Sequence, residues 1–166
     1  MGKVQDRFFN GSPGAVSRSI DDIIISIRNA SDGNVAFGSP VFLGDGGAVP
    51  FDINNPQEFS AFLGFAVRGA DKTPDTYPQG QFNDPPEGVW HAGDVMEVLV
   101  RGSIAVPLSA SGSVGGKLYI RKSDGRMTAS AGASGTTVQL ENVTIRNPRA
   151  NGANCCEAVI TERNLV

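Results

Sequence analysis

Residues 94–106 constrain the fold of this chain more than any other segment. Read with a period of two, Val95, Glu97 and Leu99 share one face of a strand and Met96, Val98 and Val100 share the other. Both faces are mostly apolar, so the strand has to be covered on both sides and belongs in the centre of a sheet. Gly102 permits a bend or bulge before Ser103-Ile104-Ala105-Val106 resumes the strand. A central strand needs neighbours. The runs Ile23 to Arg28, Val35-Ala36-Phe37, Val41-Phe42-Leu43, Phe62 to Arg68, Leu118-Tyr119-Ile120, Thr136 to Arg146 and Glu157 to Arg163 can supply them.

Turn signals separate these runs. Asn29-Ala30-Ser31-Asp32-Gly33-Asn34 follows the isoleucine run, which predicts a hairpin from residues 23–28 to the extended segment around Pro40. Asp45-Gly46-Gly47 makes the next turn, and Asn55-Pro56-Gln57-Glu58 predicts one short helical turn before Phe62. With 21 Gly and 10 Pro against 19% charged residues, the chain otherwise disfavours helix. A chain of 166 residues suits one domain, burying roughly 70% of its unfolded surface. The expected fold is mainly β, a small barrel or sandwich spanning residues 21–166. Residues 1–20, with neither strand nor helix periodicity, read as an extended arm with a reach of up to ~65 Å, far beyond the ~15 Å radius of gyration of such a domain. Residues 71–91 read as a long loop carrying Pro74, Pro78, Pro85 and Pro86. Its Tyr77 and Phe82 suit docking on a surface, whereas Trp90 reads as core at the start of the next strand.

Residue chemistry excludes more than it offers. A net charge of −3 and a pI near 5.1 give no electrostatic reason to bind nucleic acid directly. The N-terminus lacks a signal-peptide pattern and no apolar run approaches the ~18 residues that span a bilayer, so the expectation is a soluble, unsecreted chain without a membrane partner. On that expectation the sequons at Asn10, Asn29 and Asn142 are chance. Cys155 and Cys156 are sequence neighbours with Cα atoms ~3.8 Å apart, too close for an unstrained disulfide, so two reduced thiols are expected. One histidine, His91, leaves neither a zinc set nor an evident nucleophile and base, and Trp90-His91-Ala92-Gly93-Asp94 reads as a turn entering a strand. The loop acids Asp71, Asp75, Asp84 and Glu87 read as solvated. Gly44-Asp45-Gly46-Gly47 and Gly112 to Lys117 resemble phosphate-binding loops but complete no such motif, and no helix follows them. No catalytic, metal or cofactor residues are predicted, and no small-molecule substrate.

One likeness remains. The order Phe62-Leu63-Gly64-Phe65-Ala66-Val67-Arg68, then Ala92-Gly93-Asp94, then two strands joined at Gly102, then Gly115-Gly116-Lys117-Leu118-Tyr119-Ile120 and Ser123-Asp124-Gly125-Arg126-Met127 resembles the cement or decoration proteins of tailed-phage capsids. The resemblance covers roughly residues 37–127. It implies a β-rich, non-enzymatic virion protein, made in the host cytoplasm, that sits on the outer capsid surface and cements neighbouring major capsid subunits, commonly as a homotrimer. The expected contact residues are Phe8, Phe9 and Arg18 of the arm and Tyr77 and Phe82 of the loop. Two other readings exist: a carbohydrate-binding β-sandwich or adhesin, for which one Trp and two Tyr are a thin supply of platforms, and a hydrolase built on His91.

Overall fold

The structure, a computed structural model, describes residues 13–69, 88–110, 112–148 and 155–164, with the backbone alone at residues 18–20. It contains eleven strands and, among the described residues, a single 3-10 turn, Phe59–Ala61. The strands are β1 (Val16–Arg28), β2 (Val35–Ala36), β3 (Pro40–Gly44), β4 (Gly47–Pro50), β5 (Phe62–Ala66), β6 (Val89–Trp90), β7 (Val95–Pro107), β8 (Lys117–Arg121), β9 (Met127–Thr128), β10 (Thr137–Asn147) and β11 (Cys155–Ile160).

β7 organises the molecule as its two apolar faces require. Its first half pairs with β5 through Leu99 and Val98, and its second half pairs with β11 from Gly102 to Pro107. β1 runs antiparallel along the other side of β7, from Val16 opposite Ile104 to Arg28 opposite Val95. The strand order β4-β3-β5-β7-β11-β10-β8-β9 therefore divides at Gly102 into two half-sheets that fold face to face. No pairing closes the path from β4 to β9 among the described residues, so of the two expected architectures the sandwich is the one formed.

The space between the half-sheets is the main core. Phe42, Phe62, Phe65 and Leu99 fill it from one side, and Leu118, Ile120, Leu140, Ile145, Cys156 and Ile160 from the other. Phe62 meets Phe42 and Phe65 edge-on, with centroids 5.7 and 5.4 Å apart, the geometry that ring quadrupoles favour. A second cluster covers the opposite face of the first half-sheet: Met96, Val98 and Val100 pack with Val41, Leu63, Ala66, Phe37, Val35 and Trp90. The two-stranded β2–β6 ribbon lids this cluster, with Val35 opposite Trp90. Both faces of β7 are thereby covered, although Val95 and Glu97 at its entry are exposed.

Three local expectations change. The isoleucine run does not form a hairpin with the segment after it; β1 pairs with β7, about seventy residues on, while β3 forms its hairpin with β4. The reason lies in the turn between them, because buried Asn29 anchors residues 29–33 to the entry of β7 instead of folding them back on β1. The helical turn lies one step later than the Pro56 signal, with Glu58 at its N-cap and no side-chain cap bond. The last strand starts at Cys155 and ends at Ile160.

Candidate functional site

Of the five contact residues expected from the sequence, Phe8, Phe9, Tyr77 and Phe82 lie outside the described residues. Arg18 lies in β1 with its Cα opposite Ser103 of β7, at the start of an irregular stretch of the ladder. Arg18 is thus the one of the five that lies among the described residues, on an edge strand.

The residues tested for chemistry have structural occupations. Trp90 is buried, donates its indole N–H to the Val67 carbonyl at 2.9 Å and meets Phe37 edge-on at 6.0 Å. It is a core residue, as expected, and offers no platform for a sugar ring. His91 is exposed; its backbone N–H donates to Asp94 Oδ2 at 2.9 Å, while its Nδ1 stands 3.5 Å from the same oxygen. Gly93 closes this turn with φ of 82°, and the Asp94 N–H donates to the His91 carbonyl. The carboxylate therefore shapes the turn into β7.

Cys155 and Cys156 are both buried, and their thiol pKa values are raised by burial, that of Cys156 to about 12. Neutral thiols at physiological pH are poor nucleophiles and poor metal ligands. Among the described residues no three His, Cys, Asp or Glu side chains are grouped to hold a metal ion. The glycine loop before β8 spends its amides internally, Gly115 on Ile145 O and Gly116 on Ser113 O, while Lys117 Nζ donates to Glu141 O at 2.7 Å. Gly46 (φ 78°) belongs to the β3–β4 turn. The Gly115 and Gly116 amides are therefore not available to an anion.

What the structure assembles is an exposed edge. Between Arg18 and Ile23, β1 bulges: four residues, 19–22, stand against a single step of β7 from Ser103 to Arg101. Asp21 of this bulge pairs with Arg101 at 2.6 Å. Asp22 folds over Gly102, where any Cβ would collide with its carboxylate, and its Oδ1 takes a long hydrogen bond of 3.4 Å from the Ser103 N–H. Asp22 Oδ2 is shielded from solvent and has no hydrogen-bond partner. Beyond the bulge Ile23 and Ile24 are 38% and 43% exposed. The sequence reads the isoleucine run as a strand and does not place it at an edge. The only local signal of an edge was the charged border of the run, Asp21-Asp22 before it and Arg28 after it.

The described residues thus form an all-β sandwich with buried thiols and an exposed edge strand. The comparisons say which class of protein this is. Residues 2–160 match the family described as "Structural cement protein (E217 gp24/Pam3 gp6)", and this chain belongs to that phage cement family. A structural role in the virion follows from the membership. The structure is similar to a chain from the capsid of Myoviridae phage XM1, with 18% identity, a TM-score of 0.70, and coverage of 97% of this chain and 96% of that one. This likeness supports the fold. The head fiber gp8.5 N base of bacteriophage phi29 is 16% identical over 87% of this chain and 99% of that one, at a TM-score of 0.41, too low to imply a shared fold. No match is found among curated proteins.

Proposed function

We propose that this protein binds the outer capsid surface and cements neighbouring major capsid subunits, acting as a homotrimer without catalysis, cofactor or small-molecule substrate. The observation that carries the reading is the family match over residues 2–160. The chemistry agrees with it, since a cement needs contact area rather than a reactive group. Each contact need bury only ~800 Å² per partner to be specific, and contacts repeated from one assembly to several shell subunits multiply through effective concentration. In this reading the arm, with Phe8, Phe9 and Arg18, and the 71–91 loop, with Tyr77 and Phe82, meet the shell or a neighbouring copy. Direct contact with nucleic acid or membrane plays no part.

The test is a deletion that ends before the sheet begins. Gly14 already donates its N–H to Ala105 O at 2.8 Å, and Ser17 Oγ donates to buried Glu157 at 2.8 Å, so the cut belongs at residue 12. The truncated chain is expected to keep its thermal unfolding transition and to lose co-sedimentation with heads. Unchanged co-sedimentation removes Phe8 and Phe9 from the attachment site, Arg18 being kept in the truncated chain. Loss of binding in Tyr77→Ala with Phe82→Ala, arm intact, assigns the contact to the loop.

A further inference from the structure

We propose that Asp45-Gly46, the loop between β3 and β4, is a self-modification site at which the Gly46 amide nitrogen closes on the Asp45 side chain and converts it to isoaspartate. Aspartate followed by glycine occurs at three places among the described residues: Asp32-Gly33, Asp45-Gly46 and Asp124-Gly125. The dipeptide is the same each time, so the fold decides which one reacts.

The step needs a carboxyl group free to turn, an open glycine nitrogen and a backbone able to bring the two together. At Asp124 the first two are withheld. Its Oδ1 accepts from Arg121 Nε at 3.2 Å and from the Arg126 N–H at 3.1 Å, its Oδ2 accepts from Arg121 Nη2 at 2.5 Å, and the Gly125 N–H donates to Arg121 O at 2.8 Å. Charge-assisted bonds of this kind are the strong ones. At Asp32 the glycine is held instead. The Gly33 carbonyl accepts from the Nδ2 of buried Asn29 at 2.9 Å and from Ser31 Oγ at 3.0 Å, and the Gly33 N–H donates to Ser31 Oγ at 3.4 Å. At Asp45 neither hold exists. Both loop residues are exposed. The Asp45 carboxylate and the Gly46 N–H have no hydrogen-bond partner among the described residues, and nothing lies within 4 Å of where a Cβ on Gly46 would stand. Gly46 takes φ of 78°, and glycine at 44, 46 and 47 gives the loop a backbone that few side chains restrict.

The chemistry balances without oxidant, reductant or cofactor. The Gly46 nitrogen bonds to Cγ of the neutral Asp45 carboxyl group, the carboxyl hydroxyl and the amide hydrogen leave together as water, and a cyclic imide results. Water then returns at one of the two imide carbonyls. Attack at Cγ restores aspartate. Attack at the main-chain carbonyl leaves Gly46 bonded to Cγ, so the chain now runs through Cβ and Cγ and is one carbon longer. Gly44 and Gly47, paired across this loop, have to shift to accommodate that carbon. Ala48, the next residue of β4, accepts the Ala30 N–H, so the lesion loosens the β4 end of the sheet and its hold on the turn after β1.

The experiment uses the purified full chain without heads, so its outcome is independent of capsid attachment. The protein is incubated warm at neutral pH and digested, and mass spectrometry with fragmentation that marks isoaspartate reads each site. Isomerisation leaves peptide mass unchanged, which separates it from deamidation at Asn10-Gly11 and Asn151-Gly152. Asp45 is expected to convert first, about tenfold faster than Asp124, the factor that about 1.4 kcal/mol of retained hydrogen bonding supplies, with Asp32 between them. Arg121→Gln releases the Asp124 carboxylate and should raise conversion there severalfold while Asp45 keeps its rate; a thermal unfolding scan verifies the fold of the variant. In urea, with the fold removed, the three rates should converge. Conversion at Asp32 or Asp124 as fast as at Asp45 in the folded chain, an unchanged Asp124 rate in Arg121→Gln, the same ranking in urea, or no isoaspartate at Asp45 when the urea sample forms it overturns the proposal.

Discussion

Asn29 is 1% exposed, and its carboxamide joins the turn after β1 to the entry of β7. Its Nδ2 donates to Gly33 O and His91 O, both at 2.9 Å, and its Oδ1 accepts from the Ser31 N–H and hydroxyl at 3.1 and 2.7 Å. Asn29→Ala strands several of these groups at once, and at 1–3 kcal/mol per orphaned buried group the expected loss is about 3 kcal/mol, read by urea unfolding. The same burial leaves no room for a glycan on this sequon. Cys156 supplies a pH prediction. Burial, then the charge of Cys155, raises its thiol from 9.0 to about 12. The folded state therefore keeps a proton that the unfolded state releases. The stabilisation is complete below pH 9 and is lost as pH rises from 9 to about 12. By pH 10 the loss amounts to about 1.4 kcal/mol. Unfolding followed at pH 8 and pH 10 should show this slope, and Cys156→Ala should flatten it; an equal slope in both proteins assigns it elsewhere.

At the scale of the element, β7 does the work of two strands because Gly102 lets it turn from one half-sheet into the other. Its φ is 122°, and a side chain there would strike the Asp22 carboxylate. Gly102→Ala therefore pays backbone strain and displaces the β1 bulge together, an expected loss of about 2–4 kcal/mol in chemical denaturation. Gly102→Ala with Asp22→Gly should recover the steric part but not the backbone part. This bend was legible in the sequence, because a glycine amid apolar residues on both faces has few other reasons to be there. The existence of most strands was legible too, since period and turn residues are local. Which strands pair was not. β1 finds β7 across about seventy residues, and nothing within residues 16–28 encodes that choice; it is made by the tertiary match of a long edge to a long central strand, and by Asn29. That this run forms an edge was not legible for the same reason, as an isoleucine run has one composition whether it is covered on one side or on both.

For the whole molecule, attachment by many weak contacts makes a prediction that tight one-to-one binding does not. If each contact with the shell is modest, affinity for an unassembled capsid subunit is set by one contact, whereas on a head several engage together and the second and third become intramolecular. The expected result is dissociation from heads that is 10²–10⁴-fold slower than from soluble subunits, measured by washing labelled protein from each. The family membership was visible in the sequence as an order of strands and turns. The strength of binding was not, because it depends on how many surfaces one assembly presents at once and at what spacing. Equal dissociation from heads and from free subunits would place the binding energy in a single strong contact. A large difference that vanishes when the arm is cut at residue 12 would make the arm one of the several contacts whose number sets the grip.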